Sequence, residues 1–312
     1  MFKQLLASQN RQVALGLYLY SFLTHINSAM LEQIFSPFWR SRRRWLYGLV
    51  AVISAFSFSV ATPKPGYSAS WLELLLRGIQ IIQLSNISDN QEVDLGKRIN
   101  QQISRQVPIS RNRQLTSYIN EIGQNLAANS TRPNIPYTFQ VVNDKSINAF
   151  ATMGGFVYMH TGLINAADNE AELASVVAHE IAHVVARHAV NQMKDSAIQQ
   201  GILSAAGLDR SQAVQIGVQL ALGLPNSRSD EFEADELGLD ILTKTGYAPI
   251  GAVNFMKKLQ QMSSGAPPEF LSTHPNTGER AKRLEEMIPS GTAYQGFGLD
   301  GPSYKNLVNS LS

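Results

Sequence analysis

Residues 171–193 read AELASVVAHEIAHVVARHAVNQM and contain the pattern H-E-x-x-H at His179, Glu180 and His183. Alanine and branched apolar residues surround the pattern, which predicts a helix that is buried on most of its sides. Residues four apart in a helix lie one turn above each other on the same face. The imidazoles of His179 and His183 can therefore be directed at the same point.

Two histidines at this spacing, with a glutamate beside the first, are typical of a catalytic zinc site. Such a site combines two neutral imidazoles with a third protein ligand and an open position, whereas four protein ligands make a structural site. Glu180 can reach a water molecule in the open position. The alternative is a pair of hydrogen-bonded core histidines, but two histidines and a glutamate are costly to bury without partners. The sequence therefore predicts one zinc ion per chain, held in part by His179 and His183.

The charge of the chain is unevenly distributed. The net charge is +2 over 312 residues, yet residues 1–45 carry six basic side chains and one acidic side chain. The remainder is therefore net negative, and the folded part gives no support for nucleic-acid binding. The chain has no cysteine, so it forms no disulfide and no lipid-modified cysteine anchors it.

The first 69 residues form a candidate targeting segment. A basic cluster at residues 40–44 precedes an uncharged apolar run at residues 46–61, and prolines and a glycine at residues 63–66 end the run. This order is typical of a signal peptide; an uncleaved membrane anchor and a buried core helix are the alternatives. In the first two cases the rest of the chain is exported. Met30 is a candidate start, because signal peptides rarely have so long a preface.

Helical periodicity runs through residues 70–129 and is followed by a change to strand patterns. Residues 137–142 and 155–159 are rich in β-branched and aromatic side chains, which predicts two strands. The glycine pair Gly154-Gly155 indicates a tight bend or a close approach of backbones. The second strand precedes the helix that carries the H-E-x-x-H motif, which we call the zinc helix. This strand could lie at a sheet edge, where an extended peptide can pair with it; a plain core strand is the alternative.

Three segments follow from these patterns. We expect an N-terminal extension at residues 1–69, a metal-binding domain at residues 70–288 and a loosely attached tail at residues 289–312. Within the domain, residues 196–224 are too polar to cross a membrane and fit either a mobile lid or a packed helical pair. The predicted fold class is α+β and mostly helical, with a small mixed or antiparallel sheet packed on the zinc helix.

The third zinc ligand is expected in the acidic stretch SRSDEFEAD at residues 227–235. Glu231 and Asp235 are four residues apart and share a helix face, whereas Glu233 points elsewhere. One of the first two can bind the metal while the other orients a ligand or the substrate. A solvated acidic face would be the usual explanation of such a run in the absence of the zinc helix.

Taken together, the motifs resemble the membrane-associated H-E-x-x-H gluzincin metallopeptidases of the HtpX, BepA and mitochondrial Oma type. The matching stretches are NAFA at residues 148–151 with GGFVY at residues 154–158, the zinc motif itself, the acidic stretch, and His274-Pro275 with Arg280. The likeness extends from about residue 88 to residue 288. The chain departs from HtpX in lacking multiple membrane spans and from BepA in lacking a C-terminal helical-repeat domain.

This resemblance implies a zincin-like domain and specific roles for the residues. By the likeness, Glu231 is the third zinc ligand, Asp235 lies beside the site, and His274 and Arg280 face the zinc. His274 could then fill the open position and hold the enzyme latent.

The predicted reaction is peptide-bond hydrolysis, in which Glu180 takes a proton from the attacking water and Arg280 or His274 steadies the oxyanion. The expected substrates are unfolded or misassembled proteins, in quality control of the cell envelope. The expected location is the periplasm or the outer face of a membrane, with membrane association through the N-terminal segment. A latent zinc-bearing module that binds unfolded chains is the alternative function, and a purely structural zinc site is a third. The sequence leaves the oligomeric state open.

Overall fold

The computed structural model describes residues 81–82, 84–201, 208–223, 225–262, 268–275 and 277–311. The predicted targeting segment at residues 1–69 lies outside the described residues. Among the residues described, no helix combines the length and the apolar character needed to cross a membrane.

The described chain is mostly helical, with one small mixed sheet and one pair of two-residue strands, so the predicted fold class is confirmed. In chain order the elements are β1 (Ile81–Ile82), a 3-10 helix (Leu84–Asn86), α1 (Asp89–Ile103), α2 (Arg113–Ala128), β2 (Thr138–Val142), β3 (Ala149–Thr152), β4 (Phe156–His160), α3 (Thr161–Ala166), α4 (Glu170–Val185), α5 (His188–Gln199), β5 (Leu208–Asp209), α6 (Arg210–Gly223), α7 (Arg228–Lys244), α8 (Ile250–Met262), α9 (Glu269–Thr273), α10 (Thr277–Met287) and α11 (Gly301–Leu311).

The main sheet has the order β2-β4-β3, with β4 parallel to β2 and antiparallel to β3. Of the two alternatives for the strand before the zinc helix, the edge strand is wrong and the core strand is correct, because β4 is central and all its residues are buried. The edge beside the zinc helix is β3, a strand that the sequence patterns did not reveal. Gly154 and Gly155 form the turn that folds β3 back on β4, and both have positive φ angles, 78° and 88°. The predicted tight bend is present at this pair.

The zinc helix α4 is shorter than its apolar pattern suggested. The side chain of Asn169 caps its first turn by accepting a hydrogen bond from the backbone N–H of Glu172. The helix ends at Val185, and Arg187 takes a left-handed conformation with φ 59°. A new helix, α5, then begins at His188. The single helix predicted over residues 171–193 is thus two helices with a change of direction between them.

Helices α7, α8 and α2 pack around α4, which explains its apolar composition. Fourteen of its sixteen residues are buried, and each apolar side chain of Val or Leu size contributes about 1.5 to 3 kcal/mol on burial. Helix α7 can approach closely because it presents Gly238, where a Cβ would lie 3.1 Å from the backbone N and Cα of His179. The close approach brings the acidic stretch of α7 alongside the H-E-x-x-H motif.

A second apolar cluster lies between α1, α5, α6 and the strands β3 and β4. Helix α6 packs against α1 and α5, so the described part of residues 196–224 forms a packed helical pair.

The C-terminal segment is attached through α11. Tyr304 and Val308 are buried, and the hydroxyl of Tyr304 donates a hydrogen bond of 2.6 Å to the carbonyl of Ile164. Lys305 donates to the carbonyl of Asn165. The structure therefore differs from the expectation of a loosely attached tail, because an amphipathic helix in that segment has an apolar face to bury.

Candidate metal centre

The imidazoles of His179 and His183 meet at one point on the face of α4. Their Nε2 atoms are 3.1 Å apart and their ring centroids are 4.7 Å apart. Both side chains are buried. The four-residue spacing of the motif produces this geometry directly, as the sequence predicts.

Helix α7 brings Glu231 against both imidazoles. Its Oε2 lies 3.5 Å from the Nε2 of His179 and its Oε1 lies 3.4 Å from the Nε2 of His183. Ser227 caps the start of α7, which fixes Glu231 in the first turn of the helix.

His274 completes a cluster of four. It follows the short helix α9, and its ring stacks on Phe270 with centroids 4.1 Å apart. Its Nδ1 lies 3.0 Å from the Oε1 of Glu231 and 3.4 Å from the Nε2 of His179. One candidate ligand atom from each of His179, His183, Glu231 and His274 lies within 4.8 Å of the other three.

Three imidazoles and one carboxylate, all buried, are a donor set that suits zinc. The two histidines of the motif differ in their electrostatics, and burial lowers the pKa of His183 to about 3. Burial and Arg280 both act to lower the pKa of His179, but the carboxylates of Asp235 and Glu231 raise it to about 9. Burial would raise the pKa of Glu231, but His274 and Arg280 hold it well below its ordinary value. A buried carboxylate that stays ionised beside imidazoles fits a divalent cation.

Glu180 is buried next to this cluster and lines the cleft in front of it. Neither of its carboxylate oxygens has a hydrogen-bond partner within the described chain. The Nε2 of His274 is 3.6 Å from Oε1. Burial raises the pKa of Glu180, so the carboxylate is a better proton acceptor than an exposed one. A buried carboxylate without partners is costly unless a ligand or water contacts it, and this observation fits a metal with bound water.

Asp235 and Arg280 lie behind the ligands and away from the cleft. The Oδ1 of Asp235 is 3.1 Å from the Nδ1 of His179, and Arg280 donates two hydrogen bonds of 2.7 Å to the Asp235 carboxylate. Arg280 also pairs with Glu231 and is fully buried. Burial would raise the pKa of Asp235, but the Arg280 guanidinium lowers it. This arrangement places Arg280 against Asp235 and Glu231, outside the lining of the cleft, and its oxyanion role remains a prediction.

His188 contacts the second histidine of the motif from its other side. Its Nδ1 lies 2.8 Å from the Nδ1 of His183, and its Nε2 lies 3.3 Å from Glu233. The sequence patterns placed His188 about 140° around a continuous helix, away from His183. The helix break at Arg187 places His188 next to His183, and nothing in the sequence indicates that break.

A cleft opens in front of the cluster, between the edge strand β3 and helix α6. Its polar part is formed by Glu180, His183, His274 and Asn226, and its apolar part by Ile99, Phe150, Met153, Val190 and Leu220. Strand β3 borders the cleft, and one of its sides has no strand partner among the residues that the structure describes. An extended peptide could pair with that edge and cross in front of Glu180.

The structure thus gathers all seven residues singled out from the sequence. His179, His183, Glu231 and His274 form the ligand cluster; Glu180 lies next to it on the cleft side; Asp235 and Arg280 support it from behind. His188 and Asn226 are the neighbours that the sequence patterns missed. Asn226 directly precedes the acidic stretch, and this position is the only feature of the sequence that could have indicated its place in the site.

Comparison with known proteins agrees with this geometry. Residues 113–288 match the model of peptidase family M48. The chain is 34% identical over 232 residues to the beta-barrel assembly-enhancing protease of Yersinia pestis, covering 67% of this chain and 47% of that protein. It is 36% identical over 163 residues to the mitochondrial metalloendopeptidase OMA1 of Arabidopsis thaliana, which covers 51% of this chain and 33% of that protein. The metalloprotease LoiP of Escherichia coli is 28% identical over 229 residues, covering 69% of this chain and 87% of that protein.

The chain spans about half the length of the beta-barrel assembly-enhancing proteases that it matches, with shares of 44% to 47%. The family match, by contrast, contains the zinc helix, the acidic stretch, His274 and Arg280 in full. It also confirms the resemblance drawn from the motifs. With more than half of its residues in that match, the chain belongs to peptidase family M48.

Proposed function

We propose that this protein is a zinc-dependent endopeptidase that cleaves unfolded or misassembled proteins in quality control of the cell envelope. The observation that carries the proposal is the buried carboxylate of Glu180. It has no hydrogen-bond partner in the described chain and adjoins four candidate metal ligands at a cleft. A structural zinc site does not need such a base.

The side chains divide the work as follows. His179, His183 and Glu231 hold the metal, and Asp235 and Arg280 keep His179 and Glu231 in position. Zinc, when bound, supplies Lewis-acid polarisation of the scissile carbonyl and of a water molecule. Glu180 takes the proton of the attacking water and passes it to the leaving amine nitrogen. Because Glu180 is desolvated, the proton is accepted more readily than by an exposed glutamate.

The cleft supports an extended polypeptide as the substrate. The side of β3 that has no strand partner in the described chain borders the cleft that Glu180 lines, and an extended polypeptide can pair with such an edge. The relative named for β-barrel assembly supports a role in the envelope, as does the basic and apolar pattern of residues 40–61. Export, with a periplasmic or membrane-anchored location, is part of the same proposal.

His274 supports a latent form of the enzyme. Its Nδ1 lies within the candidate ligand cluster, where it competes with a substrate for the fourth position. The same contact favours the second candidate function, a zinc-bearing module that binds unfolded chains with little cleavage. The two functions differ in whether His274 leaves the cluster when substrate arrives.

The test is cleavage of casein by the zinc-loaded full-length chain, with Glu180→Gln as the inactive variant. Glu236→Gln on the exposed face of α7 is the matched control, since it changes the same residue type away from the cluster. We expect cleavage by the wild type and the control and none by Glu180→Gln at equal zinc content. Equal cleavage by Glu180→Gln would contradict the proposal.

If the wild type does not cleave, His274→Ala decides between the two functions. Cleavage by His274→Ala that Glu180→Gln abolishes would support a latent endopeptidase. Zinc-loaded His274→Ala that binds casein without cutting it would favour the binding module.

A further inference from the structure

Asn226, between α6 and α7, reaches the metal cluster with an amide whose orientation is fixed. Its Oδ1 accepts a hydrogen bond of 2.9 Å from the Nε2 of Gln192, on α5. Its backbone N–H donates to the carbonyl of Thr273, the residue before His274, at 3.0 Å. With Oδ1 held by Gln192, the Nδ2 group points towards the candidate ligands.

The Nδ2 atom contacts three of the four members of the cluster. It lies 2.7 Å from the Oε1 of Glu231, 3.3 Å from the Nδ1 of His274 and 3.4 Å from the Nε2 of His183. An amide nitrogen carries two N–H donors. Glu231 accepts one of them, and the other is directed at the two imidazole nitrogens.

Metal and substrate binding would remove the two acceptors of that second N–H, which are the Nε2 of His183 and the Nδ1 of His274. An imidazole nitrogen that ligates a cation has no lone pair left for a hydrogen bond, so His183 can no longer accept. When a substrate displaces His274, the Nδ1 of His274 is also no longer available as an acceptor. The second N–H of Asn226 is then a donor without a protein acceptor, on the cleft side of the cluster.

Arg280, the alternative donor from the sequence, contacts the cluster from outside the cleft, where its Nη2 lies 3.3 Å from the Nε2 of His179. Its guanidinium is fully buried and is paired with Asp235 and Glu231. It lies outside the cleft lining, whereas Asn226 is part of it.

We propose that Asn226 is a catalytic residue that donates a hydrogen bond from Nδ2 to the carbonyl oxygen of the scissile peptide bond. As the water oxygen bonds to the carbonyl carbon, the π electrons of the carbonyl move onto its oxygen and the water proton passes to Glu180. The carbonyl double bond then re-forms from the electron pair on that oxygen, and the carbon–nitrogen pair leaves with the nitrogen, to which Glu180 returns the proton. The donated hydrogen bond strengthens as charge grows on the oxygen, which lowers the barrier to attack. The inference rests on the proposed endopeptidase function.

The test compares Asn226→Ala with Asn125→Ala, an exposed asparagine on α2 far from the cluster in sequence. Both changes are made in the zinc-loaded full-length chain, and also together with His274→Ala. We expect Asn226→Ala to lower kcat roughly 100-fold with little change in KM, the size seen when an oxyanion donor is removed. We expect Gln192→Ala, which frees the amide to rotate, to lower kcat by less, and Asn125→Ala to leave it unchanged.

Zinc affinity, measured by competition with a chromogenic chelator, separates this role from a structural one. An unchanged zinc dissociation constant in Asn226→Ala, with lowered kcat, supports the proposal. Zinc loss that accounts for the lost activity would overturn it and make Asn226 a positioning residue for Glu231. An unchanged kcat would overturn it as well.

A phosphinic peptide gives a readout that does not depend on cleavage, because its phosphinate oxygens imitate the charged carbonyl oxygen. If neither the wild type nor His274→Ala cleaves casein, the proposed function fails, yet this ligand still tests Asn226 in the His274→Ala chain. Weaker binding of the phosphinic peptide by Asn226→Ala, with equal binding of an unmodified peptide, supports the donor. Equal binding of the phosphinic peptide by both chains overturns it.

Discussion

Each histidine of the zinc motif contacts a second polar side chain through its Nδ1. Asp235 contacts His179 at 3.1 Å and His188 contacts His183 at 2.8 Å. Such contacts fix the ring orientation and the tautomer of a metal-ligating histidine. The Asp235 contact could be expected from the spacing of the acidic stretch, whereas the His188 contact depends on the backbone turn at Arg187.

His188→Ala therefore tests the support of His183. We expect zinc affinity to fall by about 10- to 100-fold, because the His183 ring loses the partner that holds it towards the cluster. Chelator competition on the full-length chain measures the dissociation constant. Glu233→Gln, which changes the exposed partner of His188, should have a smaller effect. An unaltered dissociation constant in His188→Ala would refute a supporting role.

Asp235→Asn tests the group behind His179. The change removes the negative charge that the buried Arg280 guanidinium contacts with two hydrogen bonds, and it leaves that cation paired with Glu231 alone. We expect a loss of about 3 kcal/mol in the free energy of unfolding, because breaking a buried ion pair leaves uncompensated charge. Urea titration monitored by circular dichroism gives the value. Asp240→Asn, on the exposed side of the same helix, should change it little. Equal stability of Asp235→Asn and the wild type would contradict the prediction.

At the level of helices and strands, sequence periodicity predicted the long amphipathic elements well. Helices α1 and α2 lie within the predicted helical region, and the two predicted strands correspond to β2 and β4. Sequence periodicity failed to predict β3, because a four-residue strand is too short to show an alternating pattern. It also failed at the end of α4, where alanine and valine continue past the break and Arg187 makes a distant contact.

That contact is the buried carboxylate of Glu92 on α1. Its oxygens accept hydrogen bonds from Arg132 at 2.9 Å, from Arg187 at 2.8 Å and from the backbone N–H of Gly154 at 3.3 Å. Glu92 thereby joins α1 to the end of the zinc helix and to the turn between β3 and β4. The left-handed Arg187 is held in place by a residue 95 positions earlier in the chain.

Glu92→Ala should destabilise the fold by about 3 kcal/mol or more, since it leaves two partly buried arginines and a backbone N–H without this acceptor. Equilibrium urea unfolding measures the change. Asp94→Asn, on the half-exposed side of α1, is the matched control and should lie within about 0.5 kcal/mol of the wild type. A similar result for both variants would show that the Glu92 contacts do not hold the helix end.

For the molecule as a whole, the sequence anticipated which segments carry the site but not how the last one is attached. Helix α11 packs against α2 and α3 and lies beyond the residues that match the family. Its amphipathic pattern is as clear as that of α1 or α10, but the glycine and serine residues around it suggested a loose tail. The buried Tyr304 shows that two well-spaced apolar side chains suffice when a complementary surface is present.

Tyr304→Ala should lower the free energy of unfolding by about 3 to 5 kcal/mol, the usual cost of removing a buried aromatic ring. Thermal and urea unfolding of the full-length chain provide the measurement. Leu307→Ala on the same helix should have a much smaller effect, because Leu307 is 39% exposed. Equal effects of the two changes would indicate that α11 does not dock through Tyr304.

Removal of zinc tests whether the metal supports the fold or the chemistry. We expect a chelator to abolish cleavage while far-UV circular dichroism stays unchanged, because the zinc helix is surrounded by a large apolar cluster that needs no metal. The melting temperature should fall, since zinc at about a thousandfold above its dissociation constant stabilises the folded state by roughly 4 kcal/mol. Global unfolding on chelation at room temperature would instead support the purely structural zinc site.

Because Gly238 has no side chain, helices α4 and α7 can lie close together at the metal centre. A Cβ at Gly238 would lie 3.1 Å from the backbone N and Cα of His179, so a side chain at this position would require α4 and α7 to move apart by a few tenths of an ångström. These two helices together carry His179, His183 and Glu231, and metal–ligand bonds tolerate deviations of only about 0.2 Å. The separation of the two helices therefore sets the distances between the candidate metal ligands. We therefore expect a side chain at position 238 to weaken metal binding, although Gly238 is not one of the candidate ligands.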